Sequence, residues 1–187
     1  MGFVFYDTET TGTDTSFDQI LQFAAIYTDD QLSELERFEI RCQLLPYVVP
    51  APGAMRVTGV RAEQLFDPSM PTHYAMIRRI REKLTAWSPA LFVGYNSIDF
   101  DEHLFRQSLF KTLHPPYLTN TNGNARSDAM RMVQAASLFR RTPSRRRSLT
   151  TANGASNWIG SLRQMASVTS TLTMRSLTSR RRSSFAG

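Results

Sequence analysis

The sequence has one cysteine, no long apolar run and no acidic residue after Asp128. The single cysteine, Cys42, excludes an intramolecular disulfide and any zinc site built on several cysteines. No apolar run approaches ~18 residues, so no membrane-spanning helix is expected. The first residues also lack the charged and apolar regions of a signal peptide. We therefore expect a cytoplasmic protein that makes no use of a membrane.

The missing acidic residues divide the chain into two parts. Of the 22 basic residues, ten are arginines in residues 140–187, whereas all 16 acidic residues precede residue 140. Residues 1–139 therefore carry a net charge of −4, and residues 140–187 carry +10. Because the first part is acidic, the basic average of the chain is poor evidence of nucleic-acid binding. The boundary predicts one folded domain, 1–139, and an Arg/Ser/Thr-rich tail, 140–187, that is disordered or translated out of frame.

Apolar periodicity predicts a mixed α/β fold for the first part. The 41% content of apolar residues is enough for a core and excludes a wholly disordered chain. Three strands followed by helices around a fourth strand indicate a layered α/β domain. The predicted strands cover residues 3–6, 20–27, 35–45 and 90–96, and the predicted helices cover 72–87, 100–113 and 128–139.

The segments between these elements are predicted to be mainly loops. Residues 46–53 are a predicted loop because they are rich in proline. Residues 114–127 are another, because they are rich in proline, asparagine and glycine. Residues 61–65 form at most one or two helical turns. The three histidines, His73, His103 and His114, are expected at the surface or in helix caps.

Three acidic residues are placed to form a metal site. Asp7 and Glu9 lie two positions apart at the end of the first strand, so their side chains point to the same side. Asp101 starts the helix after the fourth strand, and a parallel sheet would bring it to the same edge. Oxygen ligands favour Mg²⁺ or Mn²⁺, and three carboxylates suit two-metal phosphoryl transfer. The simpler alternatives are that Asp7 and Glu9 cap a turn and that Asp101 caps its helix.

Two motifs resemble those of the DEDD superfamily of 3′–5′ exonucleases. Residues 5–12, Phe-Tyr-Asp-Thr-Glu-Thr-Thr-Gly, resemble the first exonuclease motif, and residues 94–101, Gly-Tyr-Asn-Ser-Ile-Asp-Phe-Asp, resemble the second. Within the superfamily, residues 22–26, 52–54 and 57–60 look like the bacterial exodeoxyribonuclease I group. The resemblance covers about residues 1–139.

The resemblance implies a fold, an activity and roles for several residues. The fold would be a ribonuclease H-like mixed sheet flanked by helices, with the C-terminal part of the domain missing. The activity would be hydrolysis of single-stranded DNA from its 3′ end with two Mg²⁺ or Mn²⁺ ions, as in DNA repair. Catalysis and metal binding would fall to Asp7, Glu9 and Asp101. Nucleic-acid contacts are expected from Thr10, Thr58, Tyr95 and Asn96, although Tyr95 and Asn96 are as readily explained as core and turn residues.

The motif that completes the site in this superfamily is absent. A fourth carboxylate and a histidine base, spaced His-x-x-x-x-Asp, are expected in a late helix, and no histidine here has an aspartate five residues later. A reading frame shifted by one base near Arg140 explains both this loss and the acid-free tail. From the Leu172/Thr173 junction the shifted codons permit His-Asp-Ala-Ile-Ala-Asp, which contains the missing spacing.

Three alternatives remain open at the level of sequence. The tail could be a genuine basic extension that binds nucleic-acid backbone, making the chain a non-catalytic, degenerate nuclease. The substrate could instead be that of a proofreading or ribonuclease T-like exonuclease. The chain could also be a poorly folding fragment, because a missing helix would leave an apolar face of the sheet exposed.

Overall fold

The computed structural model describes residues 1–58 and 60–139. These residues form five strands, five α-helices and one 3₁₀ helix. In chain order they are β1 (Gly2–Thr10), β2 (Ile20–Thr28), β3 (Glu34–Arg41), α1 (Pro52–Thr58), α2 (Ala62–Leu65), α3 (His73–Ala86), β4 (Ala90–Gly94), α4 (Asp101–Lys111), the 3₁₀ helix (Leu118–Asn120), β5 (Ala125–Asp128) and α5 (Ala129–Phe139).

The strands form one mixed sheet with β1 at its centre, in the order β3-β2-β1-β4-β5. β2 pairs antiparallel with β1 and β3, whereas β4 pairs parallel with β1 and β5. The two neighbours of β1 end at different levels: β4 pairs with β1 from Gly2 to Phe5, and β2 follows β1 as far as Thr10. The last residues of β1 therefore extend beyond the end of β4.

The core lies between one face of the sheet and the helices α3 and α4. Val4 and Tyr6 of β1 point into it, as the two-residue period of a strand requires. Phe23 of β2 is fully buried, and its ring lies 5.9 Å from that of Tyr6 and 5.8 Å from that of Phe105 in α4. The helices supply side chains at three- and four-residue spacing, which are Met76, Ile77, Ile80 and Leu84 from α3 and Leu104, Phe105 and Leu109 from α4.

Most of the predicted elements are confirmed. All four predicted strands and all three predicted helices are present, with ends that differ by a few residues. The predicted first strand was too short, because it continues through both acidic residues to Thr10 on its hydrogen bonds with β2. The mixed α/β sheet flanked by helices is also as expected.

Two predicted loops are shorter than expected, and one histidine expected at the surface or in a helix cap is buried. Residues 52–58 form α1, which begins at Pro52, where a missing N–H costs little. Residues 125–128 form β5, an edge strand that has no apolar run and exists through its pairing with β4. His73 is buried rather than exposed, and burial lowers the pKa of its imidazole to about 4.

Two further predictions concern the tail and membrane-spanning helices. The Arg/Ser/Thr-rich tail, 140–187, lies outside the described residues. Among the helices of residues 1–58 and 60–139, none combines the length and apolar character needed to cross a bilayer.

Candidate active site

The end of β1 and the start of α4 meet where β4 has already ended. Asp7 and Glu9 lie on the part of β1 that pairs only with β2, opposite Ala24 and Gln22. Asp101 is the first residue of α4 and is 6% exposed. The hydroxyl of Thr8 donates a hydrogen bond to Oδ1 of Asp101, which ties the helix start to the strand between the two other acids. The parallel pairing of β1 and β4 thus brings the three predicted carboxylates to one sheet edge.

The three carboxylates interact electrostatically. Burial raises the pKa of Asp101 to about 6, the hydrogen bond from Thr8 opposes this rise, and the charge of Asp7 adds to it. Burial also raises the pKa of Asp7. The pKa of Glu9 is raised first by burial and then by Asp7, while Arg41 opposes the rise. A nearby cation would reduce both the desolvation cost and the mutual repulsion of these groups.

The carboxylates do not form a closed metal-binding cluster in this structure. Within residues 1–58 and 60–139, no three acidic, histidine or cysteine side chains converge closely enough to hold one ion. The donor chemistry, three acids with raised pKa values and only oxygen atoms, fits a hard divalent cation. What is present is therefore part of a site, on two elements held together by Thr8.

Sequence reasoning missed a buried carboxylate next to Asp101. Glu102 is 1% exposed and accepts hydrogen bonds at 2.7 Å from the hydroxyls of Tyr6 and Thr119 and at 3.2 Å from Nη1 of Arg126. These partners belong to β1, the 3₁₀ helix and β5 respectively. Glu102 therefore fixes the first turn of α4 against three other elements. The available signal was Tyr6, a core-facing residue whose hydroxyl needs a buried partner.

A second buried acid, Asp128, holds the loop that leads into α4. Its Oδ1 accepts hydrogen bonds from the backbone N–H groups of Asn96 at 3.0 Å and Met130 at 2.9 Å, and its Oδ2 accepts one from Ile98 at 3.2 Å. Asn96 has a φ of 57°, a conformation that asparagine tolerates better than most residues. The turn between β4 and α4, which carries the second motif, is thus anchored to the end of β5.

The predicted nucleic-acid contacts occupy different surroundings. Tyr95 is 65% exposed, and Asn96 is also exposed, so both are accessible from solvent. Thr10 is buried, and its hydroxyl donates to the carbonyl of Gly12 at 2.8 Å. Thr58 ends α1 and is half-buried. The nucleic-acid contacts of these four residues stay predictions.

We predict that acidification stabilises the folded chain through Asp101. Because its pKa is raised from 3.8 to about 6 in the folded state, ionisation of this carboxyl opposes folding above about pH 6. The penalty decreases as the pH falls through 6 and is lost below the unfolded value. Between pH 7.5 and 5 this group should add roughly 1–2 kcal/mol of stability, or several degrees in Tm.

Thermal unfolding of the wild type and of Asp101→Asn in metal-free buffer measures this contribution. The substitution keeps an acceptor for Thr8 and removes the titration. We expect the Tm of the wild type to rise relative to that of the variant on acidification. Equal responses of the two proteins would contradict a raised pKa at Asp101.

Comparison with known proteins places this geometry in a family. The profile of the exonuclease family matches residues 4–157, which extends past the boundary predicted at residue 139. Exodeoxyribonuclease I of Buchnera aphidicola subsp. Acyrthosiphon pisum is 31% identical over 142 residues, which are 75% of this chain and 34% of the relative. Exodeoxyribonuclease I of Escherichia coli K12 is 29% identical over 140 residues, which are 74% of this chain and 29% of the relative.

Solved structures agree with the sequence comparison. E. coli exonuclease I in complex with a dA16 oligonucleotide matches with a TM-score of 0.70 and 28% identity, over 74% of this chain and 30% of that one. A zinc-bound form of the same enzyme with single-stranded DNA matches equally well, over the same shares of the two chains. The chain thus spans about a third of the length of these relatives. Its ribonuclease H-like sheet, its two motifs and the profile match together show that the chain belongs to the exonuclease family.

Proposed function

We propose that residues 1–139 are the exonuclease domain of an enzyme that hydrolyses phosphodiester bonds of single-stranded DNA from the 3′ end, in the cytoplasm. The observation that carries the proposal is that Asp7, Glu9 and Asp101 lie near the free end of β1 and interact electrostatically. The similar solved structures of E. coli exonuclease I with DNA oligonucleotides support the choice of substrate.

The proposed cofactor is a pair of Mg²⁺ or Mn²⁺ ions. Members of the exonuclease family typically use divalent metal ions, and Asp7, Glu9 and Asp101 would hold them here. Such ions, when bound, activate a water molecule and stabilise the leaving oxygen. Asp101 is buried, and the hydroxyl of Thr8, which donates a hydrogen bond to its Oδ1, orients its carboxylate.

The neighbouring residues would position the reacting strand. Glu102 and Asp128 fix the turn and first helical turn that carry Asp101, so the carboxylate keeps its place relative to β1. Tyr95 and Asn96 are exposed on this turn and would contact the substrate, as would Thr10 and Thr58. A general base is still needed to take a proton from the attacking water, and no histidine of the sequence has the His-x-x-x-x-Asp spacing that supplies it in this superfamily.

We further propose that the missing general-base histidine and the fourth carboxylate are encoded in a reading frame shifted by one nucleotide. Residues 140–187 contain no acid, and the shifted codons from the Leu172/Thr173 junction permit His-Asp-Ala-Ile-Ala-Asp. This chain would then retain Asp7, Glu9 and Asp101 and lack the histidine and the fourth carboxylate that a late helix supplies. The alternative with a specific observation in its favour is a nucleic-acid-binding protein without catalysis, because ten arginines occupy the tail.

We predict little or no nuclease activity for the 187-residue chain. The groups of an active site act as a unit, so loss of the base and one ligand should lower the rate by roughly three orders of magnitude or more. The assay follows shortening of a 5′-labelled single-stranded DNA with Mg²⁺. Asp7→Asn serves as the matched inactive control. Digestion at the rate of E. coli exodeoxyribonuclease I would contradict the incomplete site.

The coding DNA across codons 135–190 tests the shifted frame directly. We expect one additional base near codon 140 in a correctly read gene, and the chain translated from it should digest single-stranded DNA and lose that activity on Asp7→Asn. If resequencing confirms the 187-codon frame and its shifted codons do not encode His-x-x-x-x-Asp, the frame proposal is wrong. Salt-sensitive DNA binding without cleavage would then favour the binding protein.

A further inference from the structure

A cavity on the outer side of α4 is separate from the carboxylates. It has a volume of about 350 Å³ and opens between α4, the loop from β1 to β2 and the segment before the 3₁₀ helix. None of the described residues that line it is acidic. Those that matter here are Thr15, Ser16, His103, Arg106, Phe110 and Tyr117. We call it the α4 cavity.

The guanidinium of Arg106 has a fixed position in the wall of the α4 cavity. Its guanidinium lies 5.1 Å from the centre of the Tyr117 ring, a cation–π arrangement. Its nearest acid is Glu102, at 3.8 Å, which already accepts three hydrogen bonds from other groups. The buried Nε of Arg106 has no hydrogen-bond partner. That nitrogen is inaccessible, but the side chain is 24% exposed, so the outer nitrogens of a guanidinium fixed on Tyr117 are suited to a phosphate group.

The same cavity presents exposed aromatic surface. Tyr117 is 53% exposed although Arg106 lies over its ring, and Phe110 is 66% exposed. Exposed aromatic rings beside a cation are a common stacking surface for unpaired bases. Hydroxyl groups from Thr15 and Ser16 complete the polar wall. The combination fits a nucleotide, with one anionic and one flat aromatic part.

Both walls of the α4 cavity continue the elements of the carboxylate site. Thr15 and Ser16 follow β1, which carries Asp7 and Glu9, and the loop is joined to α4 by Nζ of Lys111, which donates to the carbonyl of Ser16 at 2.6 Å. Arg106 lies five residues after Asp101 on α4, about 7–8 Å along the helix axis. The α4 cavity is therefore built on the same two elements that carry the carboxylates.

We propose that the α4 cavity binds a nucleotide of single-stranded DNA away from its 3′ end, with the phosphate on Arg106 and the base on Tyr117. The inference rests on the proposed function for the identity of the substrate. It adds a binding position that guides the strand and takes no part in bond cleavage.

Photocrosslinking of the full 187-residue chain locates the bound strand. The probe is a single-stranded oligo(dT) carrying 5-iododeoxyuridine, used with a chelator so that cleavage cannot occur, and at raised salt so that the basic tail contributes little. Mass spectrometry should identify a crosslink in the peptide that contains Tyr117 or Phe110. Crosslinks confined to the tail, or to Tyr95 and the carboxylate site, would overturn the inference.

Affinity measurements with matched variants test the contributions of the two side chains. By fluorescence anisotropy, Tyr117→Leu should bind labelled oligo(dT) roughly 5- to 100-fold more weakly, because one base loses its stacking partner. Tyr117→Phe keeps the ring and should bind like the wild type. Arg106→Gln should weaken binding and reduce its salt dependence more than Arg79→Gln, which removes the same charge from the exposed outer side of α3.

The outcomes separate this inference from the proposed function. Equal affinities for the wild type, Tyr117→Leu and Arg106→Gln, with Tm values unchanged, overturn the α4 cavity alone if the strand still crosslinks beside the carboxylates. A chain that binds no single-stranded DNA in either assay overturns both proposals.

Discussion

The hydrogen bond between Tyr6 and Glu102 is the interaction on which the rest of this structure depends. Tyr6 points from β1 into the core, so the next residue, Asp7, must point to the other side of the strand. The Tyr6 hydroxyl donates a hydrogen bond to Glu102 at 2.7 Å, and Glu102 directly follows Asp101 in α4. Thr119 and Arg126 donate the other hydrogen bonds to Glu102. The buried Tyr6–Glu102 contact therefore sets the distance between β1, which carries Asp7 and Glu9, and the start of α4, which carries Asp101. Its cost is a fully buried acid, which only complete hydrogen bonding makes acceptable.

The three acids at the end of β1 and the start of α4 differ from Glu102 in their surroundings. Glu102 and Asp128 accept hydrogen bonds on both carboxylate oxygens and hold elements together. Asp101 is instead buried beside the exposed Asp7 and the half-buried Glu9, and all three have raised pKa values. Desolvation raises the pKa values of all three acids, and repulsion from neighbouring carboxylates adds to the rise for Glu9 and Asp101, a pattern that is common at functional sites. This contrast is the main physical argument for the proposed metal-dependent site.

The periodic parts of the chain could be predicted from the sequence, and the irregular parts could not. The strands around Phe23 and Phe92 and the helices α3 and α4 follow from apolar spacing. The meeting of Asp7 with Asp101 followed from two motifs and the expectation of a parallel sheet. The strand β5 could not be found, because Ala125–Asp128 has no apolar pattern and is stabilised by β4. The role of Glu102 was also missed, since long-range hydrogen bonds leave no spacing in the sequence.

The central claim is that Asp7, Glu9 and Asp101 act together on a divalent cation, and Mn²⁺ binding to the 187-residue chain tests it most directly. Electron paramagnetic resonance measures free Mn²⁺ without any requirement for activity. The account predicts binding that is weakened at least about tenfold, ~1.4 kcal/mol, by Asp7→Asn and by Asp101→Asn. The exposed turn residue Asp30, replaced by asparagine, is the control and should leave binding unchanged. Equal Mn²⁺ affinity in all four proteins would contradict the account.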